Sequence, residues 1–219
     1  MEASEKPNNT FSETSRMEAF SDGVFAIAIT LLILEIHVPD VVPGESLRHS
    51  LFEEWASFLA FLIGFFTILI CWINHHYMFH LIQKCNSKLL LFNGFKLLIV
   101  TITPFATALL AKHIQTDWGV YAIRIYAFNF ALMGLAMTCL WCYANHFGFA
   151  KASPQILKAS TRFYIFATIL STMIWLVTYI SIPASLALFV LMFLVFIFPE
   201  KMVAIIIRRS GRDTGMVES

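Results

Sequence analysis

The sequence predicts an all-α membrane protein with six transmembrane helices per subunit. Of its 219 residues, 58% are hydrophobic and only 13% are charged. Mean hydropathy is +0.74, outside the range of soluble domains. Six apolar stretches are each long enough to cross a hydrocarbon layer about 30 Å thick as a helix.

These stretches run over about 17–37, 55–80, 88–111, 118–146, 160–181 and 184–207. The breaks between them carry turn chemistry. HVPDVVPGES holds two prolines and a glycine, KCNSK is a short polar turn, and KASPQ is a turn with proline. Pro183 marks a tight break between the fifth and sixth stretches. Pro104 and Pro199 fall inside apolar stretches, where proline kinks or interrupts a helix. No internal duplication is visible, so the organisation is a polar tail over 1–15, one six-helix domain over 16–208 and a C-terminal tail over 209–219.

The net charge of +1 and the lack of a basic tract give no footing for nucleic acid. The first fifteen residues lack the basic start of a signal peptide, so the first apolar stretch is expected to stay as a membrane helix. With the N-terminus in the cytoplasm, eleven Lys and Arg fall on the inner side: Lys6, Arg16, Lys84, Lys88, Lys151, Lys158, Arg162, Lys201, Arg208, Arg209 and Arg212. Arg48, Lys112 and Arg124 fall on the outer side, and Lys96 lies within the third helix. That bias puts both termini in the cytoplasm. Cys71, Cys139 and Cys142 sit in apolar runs and are expected to pack rather than bind metal or pair, despite the C-x-x-C spacing of the last two.

The first stretch, RMEAFSDGVFAIAITLLILEI, poses the functional question, because it places Arg16, Ser21, Asp22 and Glu35 on one hydrophobic segment. At about 100° per residue, Phe20, Gly23, Ile27, Leu31 and Leu34 form one narrow stripe with Arg16 at its foot and Thr30 at its border. Periodicity alone allows this stripe to be ordinary core or lipid contact. Ser21 and Asp22 point away from it. A carboxylate at membrane depth needs hydrogen-bond donors, and CWINHHYMFH and LFNGFKLL supply them at matching depth as Trp72, Asn74, His75, His76, Asn93 and Lys96. The expectation is a polar cluster joining the first three helices, acting as scaffold rather than as catalyst.

The same stretch resembles the R-x-x-x-F-S-D signature of the endosomal/lysosomal potassium channels of the transmembrane protein 175 type, here in the single-repeat form of their prokaryotic relatives. WINHH and TPFATALL resemble further family patterns, and the likeness spans roughly 15–208. The resemblance implies a leak-like, potassium-permeable cation channel in a prokaryotic cell membrane, with no cofactor beyond permeant potassium ions. It implies that Ile27 forms the narrowest point of a pore lined by the first helix, with Leu31 and Leu34 as further apolar layers and Thr30 as a hydroxyl layer. It also implies that Arg16, Phe20, Ser21 and Asp22 pack against polar groups of neighbouring helices. One helix cannot enclose a pore, so a homotetramer in membrane lipid is expected. Glu35 and Asp40 near the outer mouth are candidates for concentrating cations, or are plain solvated charges.

Two other classes compete. A proton- or cation-coupled transporter also uses intramembrane carboxylates and histidines, but no inverted repeat or paired broken helices are visible. A membrane metalloenzyme is suggested only by His76 and His80 at metal-binding spacing, with His37, His49, His113 and His146 scattered elsewhere.

Overall fold

A computed structural model describes residues 10–36, 38–39 and 46–215; His37, Asp40 and Lys6 lie outside the described residues, as does the side chain of Arg212. The described helices are α1 (Thr10–Leu31, extended by a 3-10 turn over Leu32–Glu35), α2 (Leu47–Glu53), α3 (Trp55–Leu81), α4 (Ser87–His113), α5 (Gly119–His146), α6 (Pro154–Val177), α7 (Ile182–Phe196) and α8 (Pro199–Gly215). Five of them, counting α1 with its 3-10 turn, are long and apolar enough to cross a membrane. This makes the protein an integral, multi-pass membrane protein. At 27 residues each, α3 and α4 are about 40 Å long, which exceeds the hydrocarbon layer and leaves their ends to the interfaces.

The helix ends follow from local chemistry. Asn86 caps α4 by accepting from the backbone N–H of Leu89 at 2.8 Å. Ser153 and Ser181 cap α6 and α7, each followed by a proline in the first turn, where its missing N–H is not needed. The α3–α4 and α5–α6 turns are joined by two backbone bonds, Gln83 N–H to Phe149 O and Lys151 N–H to Leu81 O, both 2.8 Å. That short antiparallel bridge fixes two hairpins against each other at one end of the bundle.

The sixth expected span differs from a continuous helix. It is broken into α7 and α8, which meet at 86°. Pro199 cannot donate to the helix ladder, so the chain turns there. The turn is held by Asn74, whose amide donates to Phe196 O at 2.9 Å, while Tyr164 OH donates to Asn74 O at 3.2 Å. On α8, Met202, Val203, Ile206 and Ile207 pack inward while Lys201, Arg208 and Arg209 are exposed. This is the pattern of a helix lying across the bundle end rather than through the bilayer. Pro104, by contrast, is absorbed within α4. The helices also overrun the expected tails, since α1 begins at Thr10 and α8 continues past Arg208. Cys139 faces outward, Cys142 is half-buried and Cys71 is buried.

Between spans, small and hydroxylated residues allow close approach. Thr138 Oγ1 and Thr168 Oγ1 lie 2.7 Å apart across α5 and α6, and Trp141 Nε1 donates to Thr161 Oγ1 at 2.9 Å. Gly64 of α3 marks a tight crossing, because a Cβ there would lie 2.7 Å from Thr107 Oγ1, 3.0 Å from Thr107 Cγ2 and 3.0 Å from Leu32 Cδ2. Rotating the threonine exchanges one clash for the other. Gly64→Ala is therefore expected to destabilise the fold by about 1–3 kcal/mol. Gly94→Ala, where a Cβ meets nothing within 4 Å, should be neutral or slightly stabilising. Thermal unfolding in detergent, comparing the two variants with the parent, checks the contrast.

Candidate functional site

The helix α1 divides cleanly by exposure. Met17, Ser21, Phe25, Ala28 and Leu32 are buried, one or another at nearly every turn, against α3 and α4. The opposite stripe is bare in the protomer: Phe20 is 66% exposed, Ile27 61%, Leu31 44% and Leu34 67%. Gly23 and Thr30 are exposed with them. The Thr30 hydroxyl donates back to its own helix, toward Ala26 O at 3.0 Å and Ile27 O at 2.9 Å. What Thr30 presents outward is therefore an acceptor oxygen.

The polar residues sit behind this stripe. Asp22 Oδ1 accepts from Trp72 Nε1 of α3 at 2.8 Å. Ser21 Oγ donates to Met17 O at 2.8 Å and accepts from Asn93 Nδ2 of α4 at 2.9 Å. Lys96 Nζ and His75 Nδ1 lie 2.8 Å apart, fully buried between α4 and α3. One of these nitrogens supplies the proton and the other the lone pair, so the contact cannot hold both groups as cations. Lys96 Nζ also lies 4.2 Å from the centroid of the Phe25 ring, so a π face stands where a carboxylate would otherwise be expected. His75 is packed between Phe25 and Phe79, its ring tilted by 48° and 45° to theirs with centroids at 5.4 and 4.1 Å.

Three candidates are placed elsewhere. Asn74 turns away from α1 and holds the α7 end. Phe20 stays on the bare stripe rather than packing on a neighbour. Arg16 makes no side-chain hydrogen bond or ion pair with the described residues and lines a cleft beside Asn86, Ser87 and Asn93. His76 stacks on Trp72 and reaches Glu18 Oε1 at 3.3 Å. Glu18 and Phe25 join the site although the sequence pattern did not single them out. Glu18 was legible as a carboxylate one turn before Asp22; Phe25 looked like any other core residue. Glu35 is half-buried at the end of the 3-10 turn. Among the described residues, no three His, Cys, Asp or Glu side chains converge as a metal site.

These features define a class: a multi-pass membrane protein whose first helix is pinned by polar contacts on one side and left apolar and unpartnered on the other. Residues 16–104 match the family described as the endosomal/lysosomal potassium channel TMEM175. The chain is 40% identical over 179 residues to a potassium channel of Chamaesiphon minutus, covering 80% of this chain and 88% of the relative. It is 39% identical over 138 residues to a potassium channel of Streptomyces collinus, covering 63% and 67% of the two chains. The fold matches a crystal structure of a lysosomal potassium-selective channel TMEM175 homolog from Chamaesiphon minutus, with a TM-score of 0.77 and 38% identity, over 84% of this chain and 96% of that one. The chain belongs to the TMEM175 potassium-channel family, among ion channels rather than enzymes.

If Asp22 holds α1 against α3, removing its carboxylate leaves the indole N–H of half-buried Trp72 without its acceptor. Asp22→Ala is expected to lower stability by about 1–3 kcal/mol, and Asp22→Asn, which keeps an acceptor oxygen, to recover most of it. Melting curves of the purified variants check this; an unchanged Asp22→Ala protein would show that the bond is dispensable.

Proposed function

We propose that four copies of this chain assemble around an axis lined by α1 and form a leak-like, potassium-permeable cation channel. The observation that carries this is the bare stripe of Phe20, Ile27, Leu31 and Leu34 opposite a face held by Asp22–Trp72 and Ser21–Asn93. A single stripe of this kind encloses nothing, and a closed ring with cyclic symmetry gives it a partner in each neighbouring copy. The names of the Chamaesiphon and Streptomyces relatives support potassium as the permeant ion.

Ile27 forms the narrowest ring, followed by Leu31 and Leu34. An apolar neck acts by dewetting and by demanding partial dehydration of the ion. Potassium surrenders its hydration more readily than sodium, so such a neck favours potassium modestly, without a cage of carbonyls. Thr30 adds acceptor oxygens one turn beyond Ile27, which suit a cation and not an anion. Asp22, Trp72, Ser21, Asn93, His75 and Lys96 position the helix and do not touch the ion. The channel body spans 16–208, with tails 1–15 and 209–219 and both termini in the cytoplasm. The basic exposed face of α8 agrees with that orientation, since positive residues favour the inner surface.

Replacing Ile27 with serine should widen the neck and raise sodium permeability relative to potassium, shifting the reversal potential toward zero under biionic conditions. Flux into liposomes or planar-bilayer recording of purified protein measures it. A reversal potential that does not move across Ile27→Ser and Ile27→Ala would remove Ile27 from the neck.

A further inference from the structure

At the end of the bundle opposite the N-terminus of α1, Arg124 enters the membrane about 7.5 Å from the start of α5. Its guanidinium carbon lies 4.3 Å from the centroid of the Tyr179 ring and 5.9 Å from that of Tyr121. Its Nε is buried with no hydrogen-bond partner, and no described carboxylate approaches it to ion-pair distance. So close to the helix end the arginine escapes the full cost of about 2.5–3.5 kcal/mol that a charge meets at a helix centre, and an anion at the interface is within its reach. Aromatic faces stabilise the cation but accept no hydrogen bonds in the guanidinium plane, so they leave Nε without an acceptor.

The surroundings narrow what the missing acceptor is. Trp175 packs at 6.1 Å from Tyr179, and Trp118 at 5.7 Å from Tyr121. Trp118 just before α5, Tyr121 on α5 and Tyr179 just after α6 are all exposed. Amphipathic rings gathered at a helix end mark the level of lipid headgroups. A guanidinium beside tyrosine rings at that level, its carbon 4.3 Å from the nearer centroid, fits phosphate oxygens above and acyl chains below.

We propose that Arg124, clamped by Tyr179 and Tyr121, is a binding site for the phosphate of a membrane phospholipid in the leaflet opposite the N-terminus. The phosphate completes the guanidinium, and the exposed aromatic rings cover the first part of the acyl chains. The site is built from α5 and the segment that follows α6 and uses no residue of α1, so it does not depend on the pore assignment.

Native mass spectrometry of delipidated, detergent-purified protein tests it with three probes. These are dioctanoyl phosphatidylglycerol, dioctanoylglycerol without phosphate, and glycerol 3-phosphate without acyl chains. Phosphatidylglycerol should bind the parent protein, with the other two about tenfold weaker or more. Arg124→Gln should weaken phosphatidylglycerol binding by about tenfold as well, and Arg124→Lys, which keeps the charge, by less. Tyr179→Leu keeps the cation but removes its stacking face and should also weaken binding. The three-probe comparison on the parent protein stands even if Arg124→Gln does not fold. Dioctanoylglycerol binding as tightly as phosphatidylglycerol would reduce the site to an apolar groove. Equal binding of glycerol 3-phosphate would make it a soluble-phosphate site. Unchanged phosphatidylglycerol affinity in a folded Arg124→Gln protein would remove Arg124 from the site. Each of these three results overturns the proposal.

Discussion

The structure depends on one constraint: a polar group placed in hydrocarbon has to find its partner within the protein. In α1 that partner is Trp72, whose indole N–H meets Asp22 at 2.8 Å. The bond fixes the rotation of α1 about its own axis. Once Asp22 faces α3 and Ser21 faces α4, the 3.6-residue repeat leaves Ile27, Leu31 and Leu34 no choice but the other side. A helix of purely apolar residues would have no such reference, since lipid and protein interior solvate leucine alike. The charges thus make the greasy face specific.

The same constraint explains the odd contents of the core. Lys96 is fully buried, yet its amino group is met by the imidazole nitrogen of His75 and the face of Phe25 rather than by a carboxylate. Asn74 does for α7 what backbone does elsewhere, taking the carbonyl of Phe196 that the break before Pro199 leaves over. The result is a short α7 that ends about two turns before the end of α3, with α8 turned across the bundle. Polar side chains in this protein serve as fixed points for helix rotation and helix ends.

Much of this was legible in the sequence, because hydropathy and helical period act over many residues. The spans centred on 55–80, 88–111 and 118–146 sit within a few residues of α3, α4 and α5. The stripe on α1 followed from spacing alone. What escaped was decided by single contacts. Asn74 shares a short sequence motif with His75 and His76, but one residue of rotation sends it to α7 instead of α1. The last apolar stretch reads as one span because hydropathy does not register an 86° bend; only Pro199 hinted at it. Phe25 looked like any buried phenylalanine until Lys96 was seen beneath it. The short α2 was missed because its seven residues fall below any helical period worth counting.

The rotation of α1 decides which of its faces would line a pore. Single cysteines at Leu34 and at Ala28, introduced after replacing Cys71, Cys85, Cys139 and Cys142, separate the two faces directly. Potassium flux from liposomes before and after a water-soluble thiol reagent is the measurement. The account predicts block for Leu34→Cys and none for Ala28→Cys. Block at Ala28, or an untouched flux with Leu34→Cys fully modified, would contradict it.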